Sequence, residues 1–164
     1  MYAKILVPVD GSETAAQGLD EAIKLAKVHD SQLLLVHIVN EYIFDITYSA
    51  AYVAQNLIDS LVKMGKGVLE TAESAAKKEG VKVESVLIES IGGVASDLIL
   101  AQAKTSKADL IVMGTHGRRG FARVAMGSDA ENVVRAATVP VLLVRGPSRA
   151  KKEPAVTLVK SSAA

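Results

Sequence analysis

The chain of 164 residues contains no cysteine and no tryptophan, and aromatic residues make up only 4% of it. Without cysteine there is no disulfide, zinc–thiolate site, iron–sulfur cluster or thiol nucleophile, and the composition fits a reducing compartment. The shortage of rings argues against a base-stacking surface. Charge of one sign is also lacking: 19 Lys and Arg stand against 18 Asp and Glu. That balance argues against a nucleic-acid coat or a polybasic membrane binder. No apolar run reaches the roughly 18–20 residues that span a bilayer. The opening stretch Met1-Tyr2-Ala3-Lys4-Ile5-Leu6-Val7-Pro8 has no signal-peptide core and is broken at Pro8. The expectation is a soluble cytoplasmic protein with no membrane span and no nucleic-acid partner.

What remains is 49% hydrophobic and 23% charged, ordinary for one globular domain of this length. Short apolar runs alternate with amphipathic stretches. Strands are expected at residues 5–9, 33–39, 81–88, 109–113 and 139–144. The second run, Leu33 to Val39, is apolar on both faces, as in a central parallel strand. Helical spacing joins Ala15, Leu19, Ala22, Ile23 and Ala26 up to His29. A longer helix carries Leu57, Ile58, Leu61, Val62, Val68, Leu69, Ala72 and Ala76 and stops near Gly80. Gly65 and Gly67 lie inside it, which points to close packing or a bend. A third helix follows Gly92-Gly93 with Val94, Leu98 and Ala101 on its apolar side. In a fourth, Ser128 with Glu131 fits a capping box, and Val133, Val134 and Ala137 follow. Strands alternating with helices predict an α/β fold, a parallel sheet with right-handed crossovers. Residues 40–54 hold Tyr42, Phe44, Tyr48 and Tyr52. They read as a loop tucked onto the core, or as a flap or partner contact. Residues 147–164 read as a flexible tail, with Ala155 to Val159 as an alternative extra strand.

The segment from Gly114 to Ser128 carries the chemistry. It has four glycines, three arginines, His116 and no acid, between a buried strand and a helix start. Backbone N–H groups in such a segment turn toward anions, and a helix N-terminus favours phosphate. It is neither a Walker A loop, lacking Gly-Lys-Ser/Thr, nor the dinucleotide fingerprint. There is no Gly-x-Ser-x-Gly elbow. Where a receiver domain needs its acceptor Asp, this chain has Ile88-Glu89-Ser90. No His or carboxylate cluster has metal-ligand spacing.

The spacing Gly114-x2-Gly117-x9-Gly127-Ser128 does fit a third pattern. Together with Val7-Pro8-Val9-Asp10-Gly11-Ser12 and Val139-Pro140-Val141-Leu142-Leu143-Val144, it makes the chain resemble the universal stress protein family, most closely its ATP-binding branch. The likeness runs from Tyr2 to Gly146, and implies a domain over 1–146. It implies a five-stranded parallel sheet of order 3-2-1-4-5 with helices on both faces, a Rossmann-like, adenine-nucleotide alpha hydrolase-like fold. It also implies a nucleotide site. The backbone around Pro8, Val9 and Ile38, with Val39 nearby, would hold adenine. Asp10 would take the ribose hydroxyls or help hold a divalent metal. Met113 and Gly114 would line the sugar and first phosphate, and Gly117, Arg118, Gly127 and Ser128 would surround the phosphates. ATP is the implied ligand, with AMP and ADP as alternatives, and Mg²⁺ or Mn²⁺ would arrive on the nucleotide.

Plainer readings stand beside these. Asp10 is also a natural turn acid, Ser128 a natural cap, and His116 and Arg118 natural solvated loop residues. His37 reads as a hydrogen-bonded core histidine, and His29 as a cation at a helix end. The expected function is a stress-response regulator whose nucleotide occupancy modulates conformation or partners. The alternative is a slow ATPase or adenylyl-type transferase, against which stands the want of a well-placed general base. A plain interaction module with an empty pocket is a third reading. The apolar fifth strand, at a sheet edge, predicts a homodimer through Val139 to Val144, with a higher oligomer as the alternative.

Overall fold

The first strand, β1 (Lys4–Pro8), is buried at its three central residues, and β4 (Leu110–Gly114) along its whole length. With β2 (Gln32–Asn40), β3 (Lys82–Ser90) and β5 (Val141–Val144) they form one parallel sheet of order β3-β2-β1-β4-β5. The structure is a computed structural model that describes residues 2–40, 51–90, 92–117 and 126–146, with backbone only at 51–55. The tail after Gly146 and Tyr42, Phe44 and Tyr48 lie outside the described residues.

Alternation along the strands builds two cores. Ile5, Val7, Leu33, Leu35, Leu110 and Val112 face α1 (Glu13–His29) and α2 (Ala51–Lys78). Leu6, Leu34, Val36, Ile111 and Met113 face α3 (Ala95–Ser106) and α4 (Ser128–Ala136). The result is a three-layer sandwich, helix pair on sheet on helix pair. Central strands covered on both faces explain why β1, β2 and β4 read as unbroken apolar runs.

Helix ends follow local chemistry. Ser12 caps α1, its hydroxyl accepting from the Ala15 N–H. Gly80 takes φ +76° beyond α2, and the N–H of Val81 closes back onto the Ala76 carbonyl. Gly65 makes the close contact its position suggested: a Cβ there would lie 2.6 Å from the His37 ring. At Gly67 nothing lies within 4 Å.

Four expectations need correction. α2 begins at Ala51, so the end of the expected 40–54 loop is helical; no Gly or Pro separates Ala51 from Leu57. α3 turns Ser96, Ile99 and Ala103 inward, whereas Val94 is its exposed N-cap and Ala101 faces solvent. The face is set by which residues meet β2 and α4, and Ser96 passes for polar surface in the sequence. α4 is capped by Gly127, one residue before the expected Ser128, because the Gly127 carbonyl already accepts the Glu131 N–H. The Glu131 carboxylate pairs with Arg135 instead of closing a capping box. β5 starts at Val141, two residues late, since Pro140 has no N–H for the ladder.

Candidate functional site

β1 and β4 are neighbours, yet the chain leaves them toward opposite faces, into α1 and α4. Such a divergence opens a crevice beyond the strand C-termini. On one side lies the turn Asp10-Gly11-Ser12. Gly11 has φ +80°, a conformation that side-chain-bearing residues rarely take. It lets the Asp10 Oδ1 accept the Ser12 N–H at 2.9 Å. The other oxygen, Oδ2, points across the crevice: a Cβ on Gly117 would sit 2.8 Å from it. Two segments about a hundred residues apart therefore meet, and the half-buried Asp10 carboxylate is brought against the Gly117 backbone.

Thr14 and Thr115 hold this juxtaposition. The Thr14 hydroxyl donates to the His116 carbonyl, and its backbone lies against Gly114, where a Cβ would come within 2.8 Å of the Thr14 carbonyl. Thr115, buried, donates its N–H to Val144 and accepts the N–H of Gly127 at 2.9 Å. Its hydroxyl meets His116 Nδ1 at 3.0 Å. Thus the loop is tied at one end to α1 and at the other to the start of α4. Neither threonine was singled out in the sequence, and no spacing rule links Thr14 to a residue 102 positions away.

The three motif glycines differ in what they do. A methyl group on Gly114 would press on the Thr14 backbone, whereas one on Gly117 would have to displace the Asp10 carboxylate. At Gly127, φ is −63° and a Cβ would make only ordinary contacts of 3.4 Å or more. Neither backbone strain nor packing among the described residues requires glycine there. Among the described residues no side chain caps α4, whose first-turn N–H groups lie beside the exposed Ser128. Asp129 and Glu131 sit in the same turn and already complement the helix dipole.

Among the remaining expected residues, Pro8 is the last paired residue of β1, opposite Val36. Val9 is buried, with its N–H donated to the Val36 carbonyl at 2.8 Å. Its carbonyl accepts from His37 Nδ1 at 2.7 Å, so His37 is the bonded core histidine the sequence suggested. Met113 is buried on the α3/α4 side at the end of β4. Since Val36 presents its peptide to β1, alternation turns the Ile38 peptide the same way and the Val39 peptide toward β3. The buried Val39 is therefore not brought to the crevice by its backbone. Arg118 lies outside the described residues. No three His, Asp or Glu residues gather into a metal-binding group among the described residues, and Asp10 alone does not make a resident metal site.

Comparison with known proteins agrees with this fold. The profile of the universal stress protein family matches residues 1–145. A universal stress protein of Methanocaldococcus jannaschii is 35% identical over 150 residues, covering 91% of this chain and 85% of that protein. The structure of universal stress protein UspA from Lactobacillus plantarum superposes with a TM-score of 0.78 at 27% identity, over 88% of this chain and 98% of that one. The universal stress protein from Archaeoglobus fulgidus, solved in complex with dAMP, gives a TM-score of 0.66 at 26% identity over 87% and 98% of the two chains. With its profile match over nearly the whole described length and its sheet in the same order, this chain belongs to the universal stress protein family.

Proposed function

We propose that the crevice binds an adenine nucleotide, ATP, and that occupancy modulates the conformation or partners of a stress-response regulator. The observation that carries this reading is the N-terminus of α4 at Gly127, which no side chain among the described residues caps and where their packing leaves room for a Cβ. Phosphate oxygens fit outward N–H groups beside a helix dipole. Gly117, Arg118, Gly127 and Ser128 surround the phosphates, Met113 and Gly114 line the sugar, and Asp10 takes the ribose hydroxyls through Oδ2. Pro8, Val9 and Ile38 bound the base. The dAMP bound by the Archaeoglobus fulgidus relative supports the ligand class. A divalent ion, Mg²⁺ or Mn²⁺, comes with the phosphates, and Asp10 is the protein carboxylate placed to meet it.

We favour binding over turnover. The Asp10 Oδ1 accepts the Ser12 N–H, and His116 Nδ1 meets the Thr115 hydroxyl. Both groups are thereby held in structural contacts. The nucleotide unit spans residues 1–146, a cytoplasmic protein that pairs with a second copy through β5.

The test is mass spectrometry of small molecules released from the purified chain. An adenine nucleotide in near-stoichiometric amount, intact after hours of incubation, is the expected result. Release of ADP and phosphate over many turnovers from added ATP, abolished in Asp10→Ala, would replace this reading with an ATPase. Absence of any nucleotide, with no calorimetric response to ATP, would overturn it.

A further inference from the structure

His37 is a buried ionisable side chain inside β2, on the α1/α2 side of the sheet, and the nucleotide reading above gives it no task. Its Nδ1 lies 2.7 Å from the Val9 carbonyl. A carbonyl only accepts, so Nδ1 carries the proton. Across the ring, α2 comes so close that a Cβ on Gly65 would fall 2.6 Å from Cδ2 and 3.0 Å from Nε2. The ring is clamped between a strand end and a helix backbone that has no side chain at that point.

The bond His37 makes has a consequence for β1. In a parallel ladder, a residue donates to one neighbour's carbonyl and accepts from the N–H two residues further on. Val9 donates to Val36, so the next bond of the ladder would bring the Ile38 N–H to the Val9 carbonyl. The paired register instead ends at Pro8 opposite Val36, and the imidazole takes the Val9 carbonyl. The Ile38 peptide is then turned toward β1 at a level where β1 has ended, with its N–H and C=O side by side.

We propose that His37 is a positioning residue that ends the β1–β2 ladder and so presents the Ile38 backbone donor and acceptor to the edge of an adenine base. This rests on the nucleotide reading and adds base selectivity to it. Adenine offers an acceptor, N1, next to a donor, the N6 amino group. Guanine offers the reverse polarity at the same two places. A peptide N–H beside its own C=O therefore matches adenine and opposes guanine.

The experiment is calorimetric titration of AMP and GMP into the full chain, its His37→Leu variant and its His37→Asn variant. Leucine fills the volume without the donor, whereas the asparagine Nδ2 stands where Nδ1 stood. His37→Leu is expected to weaken AMP about tenfold, the worth of one or two hydrogen bonds, with GMP unchanged. His37→Asn is expected to recover AMP to within about threefold of the wild type on the same scale. AMP binding in His37→Leu that equals the wild type, or a parallel loss of AMP and GMP, overturns the proposal and leaves the nucleotide reading standing. Wild-type protein that binds neither nucleotide overturns both. Should the leucine variant not fold, ¹⁵N chemical shifts of His37 in the wild type decide. The Nδ1–H tautomer is expected, and the Nε2–H tautomer overturns the proposal.

Discussion

Gly114 and Gly127 belong to one sequence motif and are held by different physics. A methyl group on Gly114 would press on the Thr14 backbone, which cannot swing aside. Gly114→Ala should destabilise the fold by about 1–3 kcal/mol, as other overpacked sites do. Thermal unfolding should show this without any ligand present; an unchanged melting temperature would contradict the packing described here. Loss of nucleotide binding in a Gly114 variant would thus say little about the pocket. The spacing of the motif was legible in the sequence, but this division of labour was not. It depends on Thr14, whose neighbour across the crevice is fixed only by the strand order. Asp10 was legible as a turn acid, and Oδ1 takes the Ser12 N–H; the proposed ligand contact falls to Oδ2, which faces Gly117.

Elements other than α3 obeyed periodicity in their interiors and departed from it at their ends. The buried runs of β1, β2 and β4 were plain because each strand is covered on both faces. Ser96 was hidden because a buried serine looks like surface in an amphipathic pattern, so the expected face of α3 was misplaced. Between α2 and β3 one surface feature tests element-level energetics. Glu73 hydrogen-bonds Lys77 one turn on and also accepts from the Ser85 hydroxyl. The Lys77 bond first, then Ser85, holds the Glu73 carboxyl below its ordinary value. A carboxylate with a lowered folded pKa stabilises the fold above its ordinary titration range, and that contribution is lost as pH falls through the folded value. Glu73→Gln should therefore cost on the order of 0.5 kcal/mol at pH 7, the scale of an i,i+4 pair. The gap should close in strong acid. Urea melts of the two proteins at pH 7 and pH 2.5 check this, and a gap that widens in acid would contradict it.

At the scale of the molecule the two sheet edges are unlike. β3 shows Lys82, Glu84 and Glu89 to solvent, charges that discourage strand addition. β5 is Val-Leu-Leu-Val, half-buried throughout and without a charge. The chain should form a symmetric dimer through that edge, with light scattering giving twice the monomer mass across a hundredfold dilution in the micromolar range. A monomer mass at every concentration would contradict it. No helix among the described residues is long and apolar enough to cross a membrane. The crevice between β1 and β4 is the feature on which the functional account depends, and Gly127→Ser probes it most directly. Serine is as good an N-cap as glycine or better, by a few tenths of a kcal/mol, so the helix should keep or gain stability. Its side chain, however, occupies the space and the N–H groups assigned to phosphate. Titration of ATP into wild type and Gly127→Ser, alongside their melting temperatures, should show affinity falling at least tenfold while the melting temperature holds or rises. Equal ATP affinity in the two proteins would contradict the site.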